Sequence, residues 1–211
     1  VRPVEIDDVL TNPGMGFMTF QRFNGDTLNA GIRWTEGMPI EYQEFDGNLK
    51  NEDYPMTSIA YFRVYWKFME PEMRRYNWPM IDRALRTAHE RRQTLILRIA
   101  PYGTGTERDV PAWYRAMVGD EQDWAYSNPV NKWMVDPEDP RYARYFGGFI
   151  RAMGARYDGH PDLEAVDLSI VGAWGEGAGS ELLSQPTREA LVNAYTARSG
   201  KKPVSPSEWA R

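Results

Sequence analysis

Leu163-Glu164-Ala165-Val166-Asp167-Leu168-Ser169-Ile170-Val171 runs without a break into Gly172-Ala173-Trp174-Gly175-Glu176-Gly177. The first part has strand composition and partial alternation. A lone carboxylate, Glu176, then stands among glycines two residues after Trp174, and a helical pattern follows from Thr187 to Arg198 with Gly200 as its stop. The pattern predicts a buried strand that ends at an acid. Two readings of that acid stay open: a solvated side chain in a strand-terminating turn, or a carboxylate delivered to a site.

The segments upstream repeat the strand-then-helix theme. Asp139-Pro140 opens a helix, with Asp at the cap and Pro in the first position. Tyr142, Tyr145, Phe146, Phe149, Ile150, Met153 and Tyr157 share one face of it, a pattern of core packing. Thr94 to Pro101 is nearly continuous in apolar residues, as a parallel strand covered on both faces should be. Before it, Trp78 to Ala88 places Ile81, Ala84, Leu85 and Ala88 at helical spacing, with Asn77 as candidate cap. Ser58 to Trp66 is β-branched and aromatic and reads as another strand, closed by Lys67 to Pro71. Asn12 to Phe20 reads as a turn into a first short strand, and Lys202-Pro203-Val204 as the start of a fifth. Strands alternating with helices give an α/β fold with a parallel sheet.

The connections have a polarity. Those from helix to strand are short, Arg91-Arg92-Gln93 and Asp158 to Asp162, whereas Gln21 to Tyr54 and Tyr102 to Asp139 are long and irregular, with a short helix expected near Pro111 to Val118. The long segments and the strand ends hold Trp34, Trp66, Trp113, Trp124, Trp133 and Trp174. Long loops rich in aromatics at the carboxyl ends of strands mark the ligand-binding face of α/β folds.

Composition narrows the chemistry. With 211 residues the chain suits one domain, and with no cysteine it has no disulfide, thiol nucleophile or thiolate zinc site. His89 and His160 are the only histidines, which disfavours a His-rich metal site or a serine triad. A net charge of −5 argues against nucleic acid, and no apolar run is long enough to span a membrane. Neither Gly175 to Ser180 nor Gly103-Thr104-Gly105 completes a nucleotide-binding pattern, so no cofactor is expected. The chain begins at Val1 rather than Met, which suits a processed or trimmed start; the compartment stays open, with a secreted or periplasmic setting favoured.

What remains is carboxylates and indoles. Glycoside hydrolysis takes two carboxylates, one protonated to assist the leaving oxygen and one ionised. Glu176 fits the acid, provided partial burial raises its proton affinity. Glu70 reads as a structural residue before Pro71, and Asp109 serves a loop as readily as a ligand. Arg63 and Arg98 each sit inside an apolar strand, where a charge must be paired or must reach a cleft. The choice is between an interior ion pair and a cation that orients the acid or a substrate oxygen. The eight Trp and twelve Tyr offer faces on which sugar rings stack, although core packing accounts for any single one as well.

Several stretches resemble glycoside hydrolases of the large retaining clan built on (β/α)8 TIM barrels, most closely barrel families of glycosidases, many of them known only as domains of unknown function. They are Asn12-Pro13-Gly14-Met15-Gly16-Phe17, Arg63 to Trp66 through Glu70-Pro71 to Tyr76-Asn77-Trp78, Leu97 to Tyr102, Asp109 to Trp113, and Trp174-Gly175-Glu176. The resemblance implies a catalytic domain over residues 1–211, incomplete at its C-terminus, with four to five β/α units of a barrel that typically needs about 250 residues. It places the acid/base Glu at the end of strand four, where Glu176 falls, and the nucleophile on a seventh strand beyond this chain. The clan usually has Asn before that Glu; here Gly175 stands there. Arg63, Trp66, Arg98, Tyr102, Asp109, Trp113 and Trp174 become candidate contacts to an oligo- or polysaccharide. The rival expectations are a sugar-binding barrel without catalysis and a half-barrel that self-associates to close its sheet.

Overall fold

The computed structural model describes residues 17–28, 36–51, 54–103, 109–120 and 133–196. Four strands, β1 (Met18–Phe20), β2 (Ile59–Tyr65), β3 (Thr94–Ala100) and β4 (Leu163–Val166), form one sheet in sequential order, every pair parallel. The helices are α1 (Trp66–Met69), α2 (Trp78–Glu90), α3 (Ala112–Val118), α4 (Pro140–Tyr157) and α5 (Gln185–Thr196). Parallel neighbours in chain order, with helices in the crossovers, are the arrangement from which α/β barrels are built. Closure into a barrel lies beyond these four strands, and the expected first-strand turn at residues 12–16, Gly200 and the fifth strand at 202–204 lie outside the described residues.

Residues that are register partners point to the same side of a parallel sheet. Ala60, Phe62 and Val64 of β2, with Leu95, Leu97 and Ile99 of β3, join the core built with Ile81, Leu85 and Ala88 of α2 and Phe146, Phe149, Ile150 and Met153 of α4. The aromatic stripe of α4 is therefore core, as its spacing predicts. On the opposite side of the sheet, Tyr61 is paired with Ile96, and Arg63 with Arg98.

Asp139 caps α4, its Oδ1 accepting from the Arg141 N–H at 2.9 Å. Replacing Asp139 with Ala is expected to cost about 1 kcal/mol, read as a lower urea midpoint with an unchanged slope. Asn77 does not cap α2 through its side chain; its Nδ2 donates instead to the Phe68 carbonyl at 3.3 Å.

One expectation needs correction. The fourth strand ends at Val166 rather than at Val171. Beyond it the Tyr142 hydroxyl donates to the Ile170 carbonyl (2.7 Å) and the Tyr195 hydroxyl to that of Ser169 (2.8 Å), so helices α4 and α5 satisfy groups that a ladder would have used. The chain rejoins β3's path only where Ala173 bridges Tyr102. The first strand is short, as expected, and a second segment continues its line. After Phe20 the chain leaves the sheet, and Gly37 later takes up the place beside the carboxyl half of β2, its N–H donating to the Arg63 carbonyl (2.9 Å) and its carbonyl accepting from the Tyr65 N–H (2.8 Å).

Candidate functional site

The carboxyl ends of the strands gather Glu36, Arg63, Tyr65, Asp109, Trp174 and Glu176. Arg63 lies at the centre. Its side chain is 8% exposed, and its two terminal nitrogens serve different acids: Nη1 meets Glu36 Oε1, and Nη2 lies 3.1 Å from Glu176 Oε1. Glu176 is 55% exposed, so its carboxyl faces solvent and is tethered at one oxygen. That is more open than the partial burial expected for it. Arg63 is thus an interior ion pair that also touches the candidate acid.

Beside this group Trp174 holds a left-handed backbone (φ 54°), uncommon for a bulky residue, and its indole N–H donates to the Tyr65 hydroxyl. Burial, with the Asp109 charge nearby, pushes the Tyr65 phenol up to about 12. Two glycines make room for that ring. A Cβ on Gly37 would overlap it, and one on Gly103 would come within 2.5 Å of its hydroxyl and 2.7 Å of Asp109 Oδ2. Asp109 Oδ1 also lies 3.6 Å from Lys67 Nζ. Glu176, Arg63, Trp174 and Asp109 are thus brought to one rim.

The remaining candidates are used elsewhere. Trp66 is fully buried, because the chain turns into α1 at this residue and swings the indole into the core; its N–H donates to Glu70 Oε2 at 2.8 Å. Trp113 packs edge-on against Trp66 and Tyr145 and donates to the Glu70 carbonyl at 2.9 Å. Glu70 is accordingly structural; burial raises its proton affinity, while the Arg74 N–H and the Trp66 indole hold its oxygens. Tyr102 is buried, its hydroxyl accepting from the Gly172 N–H at 2.9 Å. Arg98 is an interior pair, its Nε 2.8 Å from Asp167 Oδ2, which also accepts from the Tyr61 hydroxyl at 2.7 Å. Trp133 is buried under the Arg115 guanidinium. Trp34 and Trp124 lie outside the described residues. The indole platform is therefore reduced to Trp174 among the described residues.

Glu36 is the site residue that the sequence reading missed. It lies in a stretch without periodicity, but a signal was present: Trp34-Thr35-Glu36-Gly37 repeats the Trp-x-Glu-Gly pattern of Trp174-Gly175-Glu176-Gly177. Both closing glycines are left-handed, Gly37 at φ 78° and Gly177 at φ 82°.

The amino end of the sheet holds a different kind of structure. There Arg91 pairs with Asp26 (3.2 Å), both nearly inaccessible, and Asn24 and Gln93 complete a buried polar network. A cleft of about 470 Å³ lined by Asp26, Gln43, Phe45 and Tyr54 opens at that end, away from the rim. Among the described residues no group of three or more His, Asp or Glu could hold a metal ion, and no helix is long and apolar enough to cross a membrane.

In comparison with known families, a glycoside hydrolase model described as beta-galactosidase fits residues 41–169, more than half of the chain. The matched span takes in Arg63, Arg98 and Asp109 and stops before Trp174 and Glu176. No curated protein matches.

Proposed function

The chain belongs to glycoside hydrolase family 42, described as beta-galactosidase, and on that premise we propose that it cleaves a β-galactoside within an oligo- or polysaccharide, with Glu176 as the general acid/base. The observation that carries this is the tether: a solvent-facing carboxyl at the carboxyl end of a parallel sheet, held through one oxygen by a buried guanidinium. A proton on the free oxygen is available to the leaving group as the glycosidic bond breaks, and the same oxygen takes a proton back from water in the second half-reaction. The half-buried Trp174 offers its indole to the sugar. The sequential parallel strands support a single barrel-type catalytic domain. In that reading the attacking carboxylate comes from a later strand, and Arg98 supports the sheet through Asp167 rather than binding sugar.

The ion pair with Arg63 also favours a second reading, in which Glu176 only accepts hydrogen bonds from sugar hydroxyls. Turnover separates the two. The full-length protein, assayed on nitrophenyl β-galactoside beside the corresponding glucoside and xyloside, is expected to release nitrophenol fastest from the galactoside. Calorimetric binding of galactosides with no hydrolysis of any substrate would reject the enzyme and leave the binding protein.

A further inference from the structure

We propose that Glu36, acting through Arg63, is a positioning residue that keeps one oxygen of Glu176 free to carry a proton. This rests on the acid/base role given to Glu176 above.

The argument starts from what orients the guanidinium. Arg63 Nε is buried and has no hydrogen-bond partner, so the head group is aimed by its terminal nitrogens and by Phe20, whose ring centre is 5.7 Å from Cζ. Nη1 is committed to Glu36, the less exposed acid at 19%. Only Nη2 is left for Glu176, which it meets at Oε1 alone. A guanidinium relieved of Glu36 would turn both arms to Glu176, because the bidentate pair is the preferred geometry with a carboxylate. Both Glu176 oxygens would then be engaged, and the carboxyl would be drawn down onto the sheet. Glu36 prevents this by occupying one arm.

Its own placement is independent of the turn after β4 that carries Glu176. Gly37 clips the segment to β2 through two backbone hydrogen bonds, to the Arg63 carbonyl and from the Tyr65 N–H on either side of Val64, so Glu36 is set in register with Arg63 by bonds made next to both. The two Trp-x-Glu-Gly segments therefore bring their acids to the two arms of one arginine.

The test uses leaving groups, because an acid matters only where the departing oxygen needs a proton. Glu36→Leu in the full-length protein, which offers Arg63 Nη1 no acceptor, is expected to lower kcat/KM on alkyl galactosides or lactose by about 10- to 100-fold, the scale of a misplaced catalytic group. On 2,4-dinitrophenyl galactoside, whose phenolate leaves unaided, the loss should stay below threefold, and Glu36→Asp should recover part of the activity on lactose. An equal loss on all leaving groups would overturn the proposal. So would an α-galactosyl azide, of inverted configuration, formed from 2,4-dinitrophenyl β-galactoside by Glu36→Ala in the presence of azide, since that product makes Glu36 itself the nucleophile. Should the wild type hydrolyse nothing, the function has failed but the clamp is still judged, by urea midpoints of Glu36→Gln, Glu176→Gln and the double variant. A double loss larger than the two single losses added together supports the shared arginine, because only then is Arg63 left with neither acid; simple additivity rejects it.

Discussion

Glu176→Gln is expected to lower kcat/KM on lactose or an alkyl galactoside by about 10²- to 10⁴-fold, the contribution typical of a positioned general acid. That range corresponds to about 2.7–5.5 kcal/mol of lost transition-state stabilisation. Gln is nearly isosteric and can still accept from Arg63 Nη2, so KM and the unfolding midpoint should change little while kcat falls. The loss should shrink on 2,4-dinitrophenyl galactoside for the bond-breaking step. Turnover on lactose within threefold of the wild type would show that the proton comes from another group, and the rim would need a different reading. The size of the expected effect follows from position. An exposed carboxyl fixed at one oxygen contributes little to stability, since ion pairs open to water are worth about 0–1 kcal/mol, so what it loses on mutation is chemistry.

Arg63→Leu should have the opposite profile, with stability falling before any kinetic measurement is needed. Its removal takes away the Arg63 guanidinium that Glu36, mostly covered, is paired with. Deleting one partner of a buried pair typically costs about 3–5 kcal/mol, whereas the exposed Glu176 contact adds only a small part. Urea denaturation checks the figure. Adding Glu36→Gln to the Arg63→Leu variant should restore part of the loss, because the mostly covered carboxylate that lost this guanidinium is then neutral. No recovery would mean that the penalty is packing around the arginine stem. Arg63→Lys should fall between, as an ammonium supplies charge without the fork that reaches two acids.

The parts of this molecule that could be read from residues alone are those whose partners are close in sequence or whose period is long. Helix α4 declares itself through Asp139-Pro140 and its aromatic stripe, and β2 and β3 through composition, because burial on both faces admits few polar residues. Trp66 was misread because the strand-to-helix turn falls at that residue, and a single residue of offset decides whether an indole faces sugar or core. The tail of β4 was misread because its carbonyls are satisfied by hydroxyls 26 and 28 residues away. Glu36 owes its place to hydrogen bonds between Gly37 and β2, which no local pattern encodes. Arg63 was legible as an anomaly, a charge in an apolar strand, and its anomaly pointed to the rim.

The handover from Phe20 to Gly37 along the flank of β2 has an evolutionary corollary. One neighbour is supplied by two separate stretches of backbone, so the polypeptide between them is spliced outside the ladder. Its length can drift at a penalty that grows only logarithmically, about 0.6 kcal/mol per doubling, while the acid just ahead of Gly37 stays in alignment. Relatives with excursions of very different size could therefore keep the same chemistry, and a library of grafted inserts there would vary what surrounds the sugar without disturbing what acts on it.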